Sequence, residues 1–270
     1  MTRRGRWWTV AAVVVCVALA AVLILATRRH TPSGTGASAS SATASSAAAD
    51  CRPRVADVGF GSRAVKFNGQ QVAPADADIT LGVIVQNPCP RAAVNVQLLA
   101  RATTTSGSDV AGALHLRTSL DAVMPGQRLG VAGSIVNDPD SGATVGHFNA
   151  TMVAAVRVDV LHWDWQAATD VAQPTATTAQ DIAVGQRQPD GDVPVSFRLG
   201  PDAPAPSGDR WVCVLLRDTT DRIVSGEMRE VHIPADLPAS GGTLTATARA
   251  PGTGAGLHAE IYFYYRQTSF

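Results

Sequence analysis

His162-Trp163-Asp164-Trp165 is the local cluster of most chemical interest in the chain. On a strand, a His and an Asp two apart point to one face, so a proton-passing imidazole–carboxylate pair is one reading. The other, and the one preferred here, is a strand end that lays a tryptophan face in a core. The remaining histidines, His30, His115, His147, His232 and His258, have no zinc-ligand or metalloprotease spacing. There is no GxSxG elbow, P-loop or dinucleotide fingerprint. Asp138-Pro139-Asp140-Ser141-Gly142 and Asp190-Gly191-Asp192 offer oxygens to calcium, but each supplies too few alone and reads better as a turn. Asn149-Ala150-Thr151 fits a glycosylation sequon. No catalytic residue, cofactor or metal is assigned.

The cysteines divide by position. Cys16 lies in an apolar run near the start, Cys51 and Cys89 share the first half of the folded part, and Cys213 sits in Trp211-Val212-Cys213-Val214-Leu215. Pairing logic joins Cys51 to Cys89, and closing a loop of about 39 residues is worth roughly 3–4 kcal/mol in the chain-entropy model. Cys213 reads as a small buried hydrophobe with an inert thiol.

The C-terminal segment Glu260-Ile261-Tyr262-Phe263-Tyr264-Tyr265-Arg266 is the candidate binding strand. Alternation puts Ile261, Phe263 and Tyr265 on one face, and Tyr262 and Tyr264 on the other. If the first face packs inside, Tyr262 and Tyr264 project outward as a partner-binding patch, since tyrosines favour interfaces. Ordinary cross-strand pairing is the competing explanation.

These groups must be carried by a chain of three parts. Trp7 to Ala26 is an uncharged apolar run of 20 residues, preceded by Arg3, Arg4 and Arg6 and followed by Arg28 and Arg29. Twenty helical residues span about 30 Å, the thickness of a bilayer core. We read residues 1–6 as a cytoplasmic start and 7–27 as one transmembrane helix. A cleaved secretory signal is the alternative, but the run exceeds a signal core and Ala18-Leu19-Ala20 lies inside it. The arginine bias and the Trp7-Trp8 edge place the N-terminus inside; the cysteine pair places the remainder outside. Residues 28–50, almost wholly Ser, Ala, Thr and Gly from Thr31 to Ala49, have nothing large to bury and read as a disordered spacer averaging about 25 Å end to end.

The remainder reads as β. Strand patterns cover Asp78–Val85, Ala93–Leu99, Gln127–Val136 and Thr151–Leu161, then Val193–Leu199, Arg210–Leu216, Thr243–Ala248 and His258–Tyr265. Turn signals separate them, among them Asn87-Pro88, Pro125-Gly126 and Pro251-Gly252; Asp121-Ala122-Val123-Met124 is a candidate helical turn. The polar stretch Gln166–Gln180 divides two β-sandwich domains, 51–165 and 181–270. The halves share a plan: a strand ends in Leu99-Ala100-Arg101 or Leu215-Leu216-Arg217, then come a polar turn and a weaker strand.

The stretch ITLGVIVQNPCPRAAVNVQLLARATTTSGSDVAG, with VMPGQRLGVAGSIV after it, resembles the FxLYD-type immunoglobulin-like domain of bacterial envelope proteins over roughly residues 78–136. Leu98-Leu99-Ala100 stands where that family carries its aromatic signature. The resemblance implies a sandwich in an extracytoplasmic setting and brings no catalytic residues.

Charge is balanced at 22 basic and 22 acidic residues, and the part from Cys51 onward is near −4 with no long basic block, which argues against a nucleic-acid partner. The expectation is an all-β chain: two immunoglobulin-like sandwiches in tandem behind one membrane span. Its function is then non-catalytic, binding or scaffolding an envelope protein or cell-wall glycan outside the membrane. A small-ligand sensor or carrier, and an enzyme with a dispersed site, are the alternatives.

Overall fold

The computed structural model describes residues 51–63, 66–67, 70–71, 73, 77–136, 148–171, 179–189, 191–199, 208–235, 242–249 and 256–264. The expected membrane span, the Ser/Ala/Thr spacer, Tyr265 and the Asp138–Gly142 turn lie outside these residues. Among the described residues, no helix is long and apolar enough to cross a membrane.

The described chain is all-β. Its strands are β1 (Arg54–Arg63), β2 (Lys66–Phe67), β3 (Gln70–Gln71), β4 (Asp78–Gln86), β5 (Ala92–Thr103), β6 (Leu116–Val123), β7 (Arg128–Ile135), β8 (Ala155–Gln166), β9 (Ala179–Val184), β10 (Asp192–Leu199), β11 (Gly208–Arg217), β12 (Ile223–Ile233), β13 (Thr243–Arg249) and β14 (His258–Tyr264). Apart from the small β2–β3 ribbon they form four antiparallel sheets of three strands: sheet I (β1-β4-β7), sheet II (β6-β5-β8), sheet III (β12-β11-β14) and sheet IV (β13-β10-β9). The order repeats. β9, β10 and β13 take the places of β1, β4 and β7, while β12, β11 and β14 take those of β6, β5 and β8.

Two sequence expectations change. Asp121 to Val123 complete β6 rather than a helical turn, and the last of these residues is buried in the core. Thr151 belongs to a short 3-10 turn, Ala150–Met152, capped by the Asn149 side chain, so β8 starts later and continues through both tryptophans.

Alternation sets the cores. Leu81, Val83 and Val85 of β4 meet Val96, Leu98 and Ala100 of β5, with Leu120 and Ile135 beside them, between sheets I and II. Val193, Val195 and Phe197 of β10 meet Val212, Val214 and Leu216 of β11 between sheets III and IV, where Phe197 and Phe263 meet edge to face at 5.8 Å. The first core does not stop at its own half: Cys213, Leu215, Ile223 and Tyr264 of sheet III are packed into it. Sheet I is therefore covered on both sides, which is why β4 is buried along nearly its whole length.

Small side chains make that second contact close. The face of sheet I toward sheet III carries Gly59, Thr80, Gly82, Gly130 and Ala132. A Cβ on Gly59 would overlap the Ile223 carbonyl; one on Gly82 would stand 2.6 Å from Leu215 Cδ2, and one on Gly226 2.6 Å from the Leu81 carbonyl oxygen. The polar groups caught between the sheets are paired. Thr80 Oγ1 and Ser225 Oγ are 3.1 Å apart, the Tyr264 hydroxyl donates to the Gly130 carbonyl, and Arg217 Nη1 donates to Asp57 Oδ2 at 2.7 Å.

The Cys51–Cys89 disulfide forms as expected, with Cα atoms 5.6 Å apart. Buried Asn87 shapes its loop: Nδ2 donates to the carbonyls of Arg91 and Val123, and Oδ1 accepts from the Cys89 amide.

Candidate functional site

The site grows out of β5. Val94, Val96 and Leu98 are buried, whereas Asn95 and Gln97 between them are exposed. Strict alternation of this kind belongs to a sheet with one wet face. β6 adds Arg117, Ser119 and Asp121 to that outer face of sheet II, and β8 adds Asp159, His162 and Asp164. Register sets the rows: Ser119, Gln97 and His162 lie side by side, as do Arg117, Leu99 and Asp159.

The β5–β8 ladder is irregular here. Pairing jumps from Val94–Asp164 to Gln97–His162 and again to Leu98–Val160. Asn95 takes up the distortion with φ 52°, a left-handed conformation that Asn tolerates better than most residues. The irregularity lets β8 keep Val158 and Val160 on the core, then Trp163 and Trp165, while His162 and Asp164 turn outward. The tryptophans meet edge to face at 6.2 Å, and the Arg91 guanidinium lies 5.9 Å from the Trp165 ring centroid. The preferred reading of this segment, a tryptophan face in the core, holds in that both rings pack half-buried against it.

His162 and Asp164 nonetheless meet, with Nε2 3.4 Å from Oδ1, and Asn95 Nδ2 donates to Asp164 Oδ2 at 3.0 Å. The Asn95 hydrogen bond, aided by His162 and opposed by partial desolvation, holds the Asp164 carboxyl below its ordinary pKa. Asn95, Gln97, Ser119, Asp121, His162 and Asp164, floored by Leu120, line an open groove of about 250 Å³. One step along the face, Arg101 Nη2 donates to Asp159 Oδ2 at 2.6 Å, which lowers the Asp159 pKa, and His115 stands 3.4 Å from Asp109.

The groove offers two amides, a hydroxyl, carboxylates and an imidazole, with no Trp, Tyr or Phe in its lining and no enclosing wall. Among the described residues, no group of three or more His, Cys, Asp and Glu is arranged to hold a metal ion. Such a surface can recognise a polar partner by hydrogen bonds; it does not enclose a small molecule.

The tyrosine patch requires correction. Tyr262 and Tyr264 do leave the second core, while Ile261 and Phe263 pack on it, as alternation predicts. Their outward side, however, is covered by sheet I. Tyr264 is only 7% exposed, and Tyr262 lies against Gly130 with its hydroxyl donating to Glu260 Oε2 at 2.6 Å. Burial pushes the pKa of both phenols up. Their partner is the chain's own first half. Cys213 beside them is fully buried, and its thiol pKa is pushed well up.

Sequence reasoning found His162 and Asp164 but missed Asn95, Gln97, Ser119 and Asp121. The signal was the contrast between the alternating Val94-Asn95-Val96-Gln97-Leu98 and the unbroken Val212-Cys213-Val214-Leu215-Leu216. The chain matches no known family model and no curated protein.

Proposed function

We propose that the chain is a non-catalytic, membrane-anchored protein of the cell envelope that holds an extracytoplasmic partner on the outer face of sheet II. The single observation carrying this reading is the unequal treatment of two equivalent faces. The outer face of sheet III is occupied by sheet I, whereas that of sheet II stands open and carries the groove. Sheets I and II have the order of strands A-B-E facing C′-C-F in an immunoglobulin-like sandwich, without strand G among the described residues. Sheets IV and III repeat it, which supports two such sandwiches in tandem. The disulfide favours an oxidising compartment and so the outside of the membrane. The groove lining has no Trp, Tyr or Phe for a sugar to stack on, so a protein partner fits better than a wall glycan.

Photo-cross-linking from position 97 in intact cells tests the reading. It should give an adduct that the exposed turn position 220 does not give. No adduct at 97 would overturn it. A second reading, an enzyme, rests on Ser119 and Asp121 sharing the groove with His162 and Asp164. Among the described residues, no hydrogen bond joins either of them to His162. Turnover of fluorogenic esters by the purified chain, abolished by His162→Ala, would favour the enzyme.

A further inference from the structure

The contact between sheets I and III is a template for a contact between molecules. In sheet III, Arg217 closes the middle strand and binds two carboxylates and a backbone carbonyl, with the Asp221 carboxylate 3.8 Å from its Nε. Nε donates to Glu260 Oε1 at 2.9 Å, Nη1 donates to the Asp221 carbonyl at 2.6 Å, and Nη1 also donates to Asp57, which arrives from sheet I. In sheet II, Arg101 holds the same place. It pairs with Asp159 on the strand equivalent to that of Glu260 and approaches Asp109, in the following turn, at 4.0 Å. The acid from an incoming sheet is what Arg101 lacks. Its side chain is 29% exposed, and of its nitrogens Nη2 is taken by Asp159 while Nη1 has only the Asp109 carboxylate at 4.0 Å.

The missing acid exists on the opposite side of the chain. Asp57 lies in Val55-Ala56-Asp57-Val58, at a register irregularity of β1 on β4; Asp181 lies in Ala179-Gln180-Asp181-Ile182, at one of β9 on β10. Asp181 is exposed on the outer face of sheet IV, 3.3 Å from Arg198. The other contacts have counterparts too. Ala132 abuts Gly226, and register gives Thr245 and Arg117 in their places; Gly130 abuts Tyr262, and Thr243 and His162 correspond.

We propose that the occupant of the sheet II face is a second copy of this chain, which lays its sheet IV face there with Asp181 on Arg101. This rests on the reading that the sheet II face binds a partner. The packing is head to tail, so each copy can take on a further one and the assembly is not limited to a pair. The facing side chains are Asn, Gln, Ser, Thr and charged groups where the internal contact has Gly against Tyr and Leu. The contact is accordingly an exchangeable polar one, strengthened where anchors raise the effective concentration.

The test uses the full chain in phospholipid vesicles, with Cys16→Ala so that buried Cys213 is the one native thiol left. Arg117→Cys combined with Thr245→Cys should give, on mild oxidation, a ladder of dimers, trimers and higher species, and neither single variant should. Asp181→Lys should remove most of that ladder while the chain stays folded. Absence of the ladder, or a ladder indifferent to Asp181→Lys, overturns the proposal. Photo-cross-linking from position 97 in cells separates the two failures. An adduct with a different protein overturns only the second copy, and no adduct of any kind overturns the binding face as well.

Discussion

Sheets II and III occupy the same place in the two halves, yet one meets water and the other meets protein. Gln97 and Cys213 stand at matching points, four residues before Arg101 and Arg217. Around Gln97 are Ser119 and His162; around Cys213 are Met228 and Tyr262. The β5–β8 ladder is broken by irregularities, whereas β11–β14 runs without one. One strand plan has thus been given two surfaces. A regular apolar face is used to join the halves, and a distorted polar face is left for something else. What a sandwich face does is decided by the side chains of one parity, not by the order of the strands.

The largest effect that could break this comparison is at the two arginines. Arg217→Met leaves Asp57 and Glu260 without their cation at a closed interface and should cost about 3 kcal/mol in urea unfolding. Arg101→Met, on the open face, should cost about 1 kcal/mol or less. Equal losses would mean that the two faces are not differently covered. Next come Gly82→Val and Ser119→Val. The first drives a side chain into Leu215 and Ile223 and should destabilise by about 2–3 kcal/mol, while the second should stay within about 0.5 kcal/mol. Tyr264→Phe removes the hydroxyl held by the Gly130 carbonyl and should cost about 1 kcal/mol by thermal melting.

The smallest effect sharpens the groove. Asp164 has a lowered pKa, so the hydrogen bond from Asn95 contributes above the ordinary carboxyl value and is lost as pH falls through the lower folded value. Asn95→Gly keeps a residue at ease with positive φ but removes the amide. The Asp164 titration followed by NMR should then move up toward 3.8. An unmoved midpoint would remove Asn95 from the electrostatics of the groove.

Much of the fold was legible in the residues. The strands containing Ile79–Val85, Ala93–Leu99, Val193–Leu199 and His258–Tyr264 announce themselves by β-branched and alternating composition. The Cys51–Cys89 bridge followed from position and compartment. The contact between sheets I and III did not show, because Gly59, Gly82 and Gly130 look like strand weakeners until a second sheet is seen against them. Tyr262 and Tyr264 were assigned to the right face but to an external partner, since alternation tells which side a residue takes and not what covers that side. The groove depends on a register break, and a break of one residue in each strand leaves composition unchanged.

The most direct measurement compares the matching pair itself. With Cys16→Ala and Gln97→Cys in place, maleimide labelling is followed at position 97 and at Cys213, on the purified chain and on intact cells. The account predicts rapid labelling at 97 and none at Cys213 in the purified folded chain, with position 97 protected on cells by its partner. Labelling of Cys213 at a rate comparable to position 97, or equal labelling of 97 with and without the cell, would contradict it.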